Sequence, residues 1–164
     1  MLYIDKQKAS PRVLREIARV KSSPEWSSSD KMDTSGIRAQ FDSLDKSVFR
    51  EQLYREQKGL CAYCMKRVRN DGSSVIEHYL PVDENRESAL DYENMMLCCD
   101  GGRSRTDGNH HILCCDASKG HQTITISPYN ESQMSKIRYN KNGKIYTCIH
   151  RIRLLNMISI RFFI

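Results

Sequence analysis

The sequence predicts an α+β fold that a bound metal ion helps to hold together. Three observations carry this prediction. Cys61 and Cys64 form a CxxC, whose two thiols can both reach one tetrahedral zinc ion from a tight turn. Residues 75–81, VIEHYLP, form a β-branched run that predicts a strand ending in Glu77 and His78. Ahead of both, apolar residues recur at the spacing of helices.

Length and charge set the broad class. The 164 residues are enough for one domain with a modest core. Its 26 Lys and Arg against 20 Asp and Glu leave a formal net charge of +6, which favours a polyanionic partner. No apolar signal region opens the chain and no run reaches membrane-spanning length, so we expect a cytoplasmic protein without a membrane partner. In that reducing compartment the seven cysteines favour metal binding over disulfides.

The N-terminal segment, residues 1–36, is predicted to be a helix followed by a linker. Ser10 and Pro11 predict the helix start, with serine as N-cap and proline at the first helical position. The apolar face of this helix comprises Val13, Leu14, Ile17 and Val20. Residues 22–36 are rich in Ser, Asp and Gly, which indicates a loop with Trp26 as a packing anchor. We expect this segment to dock onto a partner.

A second helical region covers about residues 37–57. Apolar side chains recur at steps of four, three and four from Ile37, and the pattern allows a break within the region. Gly59 is the expected C-cap. The region also carries basic residues that could meet phosphates or form a solvated face: Lys46, Arg50, Arg55 and Lys58.

Beyond the cysteine-rich stretch the sequence predicts β-structure. Residues 123–126, TITI, predict a strand, and residues 137–146 predict a hairpin around an Asn-Gly turn. Residues 37–147 are therefore taken as one domain. Residues 148–164 form a C-terminal tail whose pattern favours neither helix nor strand.

The second half of the metal site must come from later cysteines. Two adjacent pairs offer candidates: Cys98, Cys99, Cys114 and Cys115. Four thiolates around zinc would contribute on the order of 10 kcal/mol to folding. Such a closed site leaves no position for water, so it is structural, and any chemistry must lie elsewhere.

Several motifs occur in order along this stretch. After the CxxC come Glu-His ahead of Leu-Pro at residues 77–81, Asn94 ahead of a Leu-Cys, and Cys-Asp-x-x-Lys-Gly at residues 115–120. This order resembles that of zinc-stapled HNH endonucleases and, more narrowly, of the PtuB-type HNH subunits of Septu and retron-associated anti-phage systems. The resemblance runs from the first helix to the Asn-Gly hairpin. It implies an α+β fold with a zinc-stapled ββα-metal (HNH) core, N-terminal helices and a C-terminal β-hairpin.

The resemblance also implies which of the cysteines bind the zinc ion. The structural zinc ligands that it implies are Cys61, Cys64, Cys99 and Cys115. Cys98 and Cys114 are then core or spare thiols, and Cys148 is expected to be a buried small residue.

The catalytic positions implied by the same resemblance are His78, Asn94 and Asp116. His78 would be the general base, since an unperturbed imidazole titrates near neutral pH. Asn94 would brace the loop and orient His78 through its amide. Glu77 and Asp116 would supply hard oxygen ligands to a catalytic Mg(II) or another divalent ion.

Other residues near the motif have implied or rival roles. HNH proteins mostly carry His or Asn at the third catalytic position, so His110 and His111 compete with Asp116 for it. They lie in residues 100–111, a Gly-rich and charged run expected to cover the active site. Phosphate contacts are expected from Lys119, Arg103 and Arg105.

The function that the resemblance implies is a metal-dependent endonuclease that hydrolyses DNA as the effector of an anti-phage complex. Its implied partners are an SMC/ABC-type (PtuA-like) ATPase and a retron reverse transcriptase with its msDNA. The alternative is a non-catalytic zinc module that binds nucleic acid or a partner protein. The acid-histidine pair at the end of a strand favours the enzyme, because a binding module has no need for it.

Overall fold

Helices and antiparallel strand pairs confirm the predicted α+β class in the computed structural model. It describes residues 1–28, 34–82, 86–104, 106–107, 110–111, 113–141 and 145–147. The helices are α1 (Pro11–Lys21), α2 (Pro24–Ser28), α3 (Thr34–Asp42), α4 (Lys46–Glu56), α5 (Cys115–Lys119) and α6 (Glu131–Met134). Within the described residues, none of these helices combines the length and apolar content needed to cross a bilayer.

The strands pair as three short antiparallel ribbons. They are β1 (Val75–His78) with β2 (Met95–Cys98), β3 (Thr106–Asp107) with β4 (His110–His111), and β5 (Ile137–Tyr139) with β6 (Ile145–Thr147). Two 3₁₀ turns, Arg86–Ala89 and Tyr92–Asn94, lie in the connection from β1 to β2.

The N-terminal helix begins as predicted, but part of the loop predicted to follow it is helical. The Ser10 hydroxyl accepts a hydrogen bond from the Val13 amide and proline occupies the first turn. Residues 22–36 were expected to form a loop, yet α2 lies within them and α3 begins at Thr34. The reason is a local cap, because the Ser23 hydroxyl accepts from the Trp26 amide at 3.1 Å and Trp26 is buried.

The second helical region is broken, as the pattern allowed. Residues 43–45 separate α3 from α4, and the Asp45 carboxylate caps α4 by accepting from the Ser47 amide at 3.0 Å. The C-cap is Gln57, two residues before the predicted Gly59. Gly59 still helps to end the helix, because with a φ of 71° its amide donates to the Tyr54 carbonyl at 2.9 Å. The Gln57 side chain is buried and bonds both the N–H and the C=O of Leu97, which ties the helix end to β2.

The β1–β2 ribbon separates two apolar clusters. Because side chains alternate along a strand, Met95 and Leu97 face the helices while Met96 and Cys98 face the cysteine-rich side. The helix-side cluster includes Val13, Val20 and Trp26. Val13 and Val20 are therefore unavailable to a partner, whereas Leu14 on the same helix is 54% exposed.

Of the two β-elements predicted in the C-terminal part, the structure contains the hairpin but not the strand. Residues 123–126 are not a strand, although Ile124 and Ile126 are buried. The Ile124 carbonyl accepts from the Tyr79 hydroxyl at 3.1 Å, so a side chain takes the place of a strand partner. β5 and β6 confirm the hairpin, while its Asn-Gly turn and residues 148–164, with Cys148, lie outside the described residues.

Candidate metal centre and active-site cleft

Four cysteine sulfurs converge at one point. The Sγ atoms of Cys61, Cys64, Cys99 and Cys115 all lie within 4.8 Å of one another. The Sγ–Sγ distances are 3.9 Å for Cys61–Cys115, 3.9 Å for Cys64–Cys99 and 3.6 Å for Cys99–Cys115. A zinc ion with Zn–S bonds of about 2.3 Å needs sulfurs about 3.8 Å apart at the corners of a tetrahedron. The donors therefore fit a metal ion such as zinc.

Three elements deliver these sulfurs. The CxxC forms a turn closed by hydrogen bonds from the Met65 amide to the Cys61 carbonyl and from the Cys61 amide to the Lys66 carbonyl. Cys99 directly follows β2, and Cys115 opens α5 with a φ of 52°, a conformation that non-glycine residues rarely adopt. The metal centre thus joins the turn, the central ribbon and α5.

A cleft of about 570 Å³ opens between the helices and the end of β1. Its cationic lining comprises Arg38, Lys46, Arg50, Arg103 and Lys119. Its acidic and imidazole lining comprises Asp42, Glu77, Asp116, His78 and His121. Three of the residues assigned from the motif, Glu77, His78 and Asp116, therefore share one cleft.

His78 sits at the wall of this cleft with its ring orientation defined. Nε2 lies 3.0 Å from the Ala89 carbonyl oxygen, and the Phe41 ring packs edge-on at 4.6 Å between centroids. A carbonyl only accepts, so Nε2 carries the proton and Nδ1 of the neutral ring keeps its lone pair. Burial, followed by the positive charges of Lys119 and other cations of the cleft, lowers the pKa of His78 to about 4.

Asn94 braces the loop that holds this histidine in place. Its Nδ2 donates to the carbonyls of Leu80 and Ser88, each at 3.0 Å, and its Oδ1 accepts from the Leu80 amide at 2.7 Å. The Ser88 carbonyl precedes Ala89, the residue that positions His78. The Asn94 side-chain amide therefore braces the loop, as expected, and reaches the His78 ring through Ser88 and Ala89 rather than by a direct hydrogen bond.

Glu77 points to the other face of β1 and holds a cation. Its Oε1 accepts from Lys119 Nζ at 2.7 Å and from the Tyr63 hydroxyl at 3.3 Å. Lys119 also donates to the His78 carbonyl at 2.9 Å, and its side chain is only 7% exposed. Burial raises the pKa of Glu77 while the Lys119 ammonium opposes that rise. Lys119 is thus engaged by protein groups, which leaves little of it for the phosphate contact expected from the sequence.

Asp116 holds a cation as well. Arg103 donates from its two terminal nitrogens to the two carboxylate oxygens, at 3.2 and 2.9 Å. His110 and His111 are described only as the backbone of β4, so their side chains and Arg105 lie outside the described residues. Among the three candidates for the third catalytic position, Asp116 is the one seen to line the cleft.

The residues present do not form a site for a second, divalent ion in this arrangement. Within the described part of the chain, the cysteine group is the one set of three or more metal-binding side chains with ligand atoms close together. Glu77 and Asp116 each face a cation instead. The predicted Mg(II) ligands thus share a cleft without forming a metal cage.

Some functional groups of this cleft carry no local sequence signal. Arg38 and His121 contact each other at 3.2 Å between guanidinium nitrogen and Nδ1, and the Ala89 carbonyl fixes the His78 tautomer. Of the four basic residues noted in the second helical region, Lys46 and Arg50 line the cleft, whereas Arg55 and Lys58 are not among its lining residues. A scan against protein-family models and a search of curated proteins both find no match to this chain.

Proposed function

We propose that the chain is an HNH-type endonuclease that hydrolyses phosphodiester bonds of DNA in this cleft. The observation that carries the proposal is His78, a neutral imidazole with an unprotonated Nδ1, in a cleft that Arg38, Lys46 and Arg50 line from the helices. Phosphodiester hydrolysis needs a base for the attacking water and positive charge around the phosphate. This cleft supplies both.

In the proposed reaction, Nδ1 of His78 takes a proton from the water that attacks the phosphorus. The bond from phosphorus to the 3′ oxygen breaks, and the leaving oxygen takes a proton from solvent. Burial is the largest cause of the low pKa, which keeps the ring unprotonated in the free protein, and Lys119, Lys46 and Arg38 lower it further. Bound phosphates would offset the part that is due to these cations and so make His78 a stronger base once substrate is present. The Ala89 carbonyl then stabilises the imidazolium through its bond to Nε2.

The wall formed by α3 and α4 would hold the DNA backbone. Arg38, Lys46 and Arg50 all line the cleft from these helices. Lys46 lies over the Phe41 ring, 4.3 Å from its centroid, which places its ammonium beside His78. Guanidinium and ammonium groups on one wall suit a polyanion, and the net charge of +6 favours its approach.

Zinc in the cysteine site would be structural. Four thiolates leave no open coordination position, so the ion would act by holding α5, and with it Asp116 and Lys119, against the end of β1. The proposal also includes the catalytic divalent ion that HNH enzymes use. To bind this ion, Glu77 would have to release Lys119 or Asp116 would have to release Arg103.

The second candidate function is a zinc module that binds nucleic acid without cutting it. The two ion pairs favour it, because Glu77 with Lys119 and Asp116 with Arg103 form a charge-balanced surface that needs no metal. A cleavage assay and a binding assay on the same DNA separate the two functions.

The deciding experiment uses zinc-loaded protein, supercoiled plasmid and labelled duplex DNA. We expect cleavage that depends on added Mg(II), and loss of cleavage in His78→Ala with zinc content and DNA binding by fluorescence anisotropy unchanged. Binding without cleavage in the wild type would establish the zinc module instead. Equal cleavage by wild type and His78→Ala would refute the proposed base.

We further propose that an SMC/ABC-type ATPase binds this chain and restrains its nuclease activity in the assembled complex. On α1 the exposed apolar side chain is Leu14, since Ile17 packs against the core. Leu14→Asp should reduce co-elution with the ATPase on size-exclusion chromatography, whereas Leu113→Asp, an exposed leucine elsewhere, should not. Undiminished co-elution of Leu14→Asp would place the docking surface elsewhere.

A further inference from the structure

A second group of cations lies beside the metal centre, outside the cleft. Lys66, Arg67 and Arg69 follow the CxxC turn closely, and all three residues are exposed. We call these three residues the basic turn. Within the described residues none of them forms an ion pair with a carboxylate, whereas the exposed Arg12 and Arg55 each pair with a glutamate. The basic turn therefore presents its charge to solvent or to an outside anion.

The metal centre holds the basic turn on a fixed frame. The amide of Cys61, one of the four metal-site cysteines, donates to the Lys66 carbonyl at 2.8 Å. Val68 packs against the apolar core between Arg67 and Arg69, whose side chains stay exposed. The backbone of the basic turn is thus ordered before any partner arrives, so binding costs it little conformational entropy.

A compact turn connects the basic turn to the cleft. The Asp71 carboxylate accepts from the Ser73 amide at 2.8 Å, and the Ser74 amide donates to the Asp71 carbonyl at 3.2 Å. Arg50, on the cleft wall, donates from Nε to the Ser74 carbonyl at 3.2 Å. Hydrogen bonds from Ser73 lower the pKa of Asp71, and the positive charges of Arg69 and Arg50 lower it further. Asp71 therefore lies near cations of both the cleft and the basic turn, which makes the two surfaces neighbours.

Gly72 keeps this connection clear of side chains. It is exposed and lines the cleft. A Cβ at this position would meet no heavy atom within 4 Å, and its backbone is not in the left-handed region. Neither internal packing nor backbone conformation requires glycine here. The missing side chain leaves room for a molecule that passes from the cleft to the basic turn.

We propose that the basic turn is a second contact surface for the DNA backbone, so that a duplex held in the cleft continues across Gly72 onto Lys66, Arg67 and Arg69. The inference rests on the proposed function, since it extends the path of the same DNA. Cations on one continuous surface suit a phosphate backbone, whose charges recur along each strand. Contacts to phosphates add affinity and fix the position of the duplex, but they read no sequence.

The test measures the binding of labelled duplex DNA to zinc-loaded protein by fluorescence anisotropy across a salt series. The double variant Lys66→Gln, Arg67→Gln should reduce the slope of log affinity against log salt by about 2, because two phosphate contacts are lost. Lys8→Gln with Arg15→Gln is the matched control, since both residues are exposed and neither lines the cleft. The control removes the same net charge and should leave the slope unchanged. Both double variants should keep the zinc content of the wild type.

A single substitution tests the sign of the charge. Asp71→Asn keeps an acceptor for the Ser73 amide and removes a negative charge from the proposed path, so duplex binding should tighten about twofold. Asp91→Asn is its control, because Asp91 is exposed and accepts from the Glu93 amide at 2.9 Å in the same way, but lies off the proposed path. Its DNA affinity should equal that of the wild type.

The outcomes separate this surface from the nuclease. A slope for Lys66→Gln, Arg67→Gln equal to that of its control, or an Asp71→Asn affinity equal to that of the wild type, overturns the second contact surface. A reduced slope with tighter Asp71→Asn binding supports the surface, and if no variant cleaves DNA the same data refute the nuclease. Plasmid cleavage by the wild type with an unchanged slope refutes the surface and leaves the nuclease intact.

Discussion

The Ala89 carbonyl oxygen accepts a hydrogen bond from Nε2 of His78 at 3.0 Å, so the proton of this imidazole is on Nε2. The contact comes from a 3₁₀ turn in the β1–β2 connection rather than from the strand that carries the histidine. It decides which ring nitrogen can act as a base. The chemistry of the site therefore depends on the loop that Asn94 braces.

The His78 ring should be neutral, with the proton on Nε2, from pH 8 down to about pH 5. Its pKa of about 4 lies below the usual 6.5 because burial and nearby cations disfavour the imidazolium. Nitrogen-detected NMR of the ring should show a protonated Nε2 and an unprotonated Nδ1 at pH 6. A ring that titrates near pH 6.5, or one protonated on Nδ1, would contradict this assignment.

The lowered pKa of His78 also makes the stability of the fold depend on pH. The folded state binds the His78 proton only near pH 4, whereas the unfolded state binds it near pH 6.5. The contribution of His78 to the free energy of unfolding is therefore complete above pH 6.5. It is lost as the pH falls from about 6.5 to about 4.

Removal of a metal-site cysteine should unfold the protein, whereas removal of a cysteine that lies outside the four-sulfur group should not. Cys61→Ser should yield unfolded or insoluble protein, because roughly 10 kcal/mol of metal-linked folding energy is lost. Cys114→Ser is the matched control, since Cys114 adjoins Cys115 but lies outside the four-sulfur group. Elemental analysis should find about one zinc per chain in the wild type and in Cys114→Ser. Stable, zinc-free Cys61→Ser protein would rule out the structural site.

The Glu77–Lys119 pair should behave as a buried unit. Lys119→Met leaves a carboxylate of 15% exposure without its cation and should lower the free energy of unfolding by about 3 kcal/mol in urea at pH 7. The double variant with Glu77→Gln should recover most of that loss, because no charge is then left unpaired. Additive losses in the two variants would show that the pair is not coupled.

The cationic wall should set DNA affinity, and one helix offers its own control. Arg50 lines the cleft, whereas Arg55, on the same helix, is 76% exposed and pairs with Glu51. Arg50→Gln should weaken duplex binding and reduce the slope of log affinity against log salt by about 1. Fluorescence anisotropy across a salt series measures both quantities. Equal effects from Arg55→Gln would show that the DNA does not run through the cleft.

Local signals determined much of this protein. The Ser10–Pro11 start of α1, the break between α3 and α4, the strand β1 and the hairpin of β5 and β6 all follow from nearest-neighbour preferences and periodicity. The loop predicted over residues 22–36 was wrong because composition alone does not reveal the cap from Ser23 to Trp26. The strand predicted over residues 123–126 was wrong because a strand also needs a partner edge.

For the candidate site, the sequence by itself determined the residue types and their order: the cysteine pairs, Glu77-His78, Asn94 and Asp116. Only the tertiary structure decided their use. Cys98 is buried as the last residue of β2, whereas Cys99 lies just beyond the end of the strand and joins the metal site, a choice the adjacent pair does not encode. The cations on Glu77 and Asp116 come from residues 42 and 13 positions away in the chain. Charge pairing and burial depend on distances in space, and separations along the chain do not specify them.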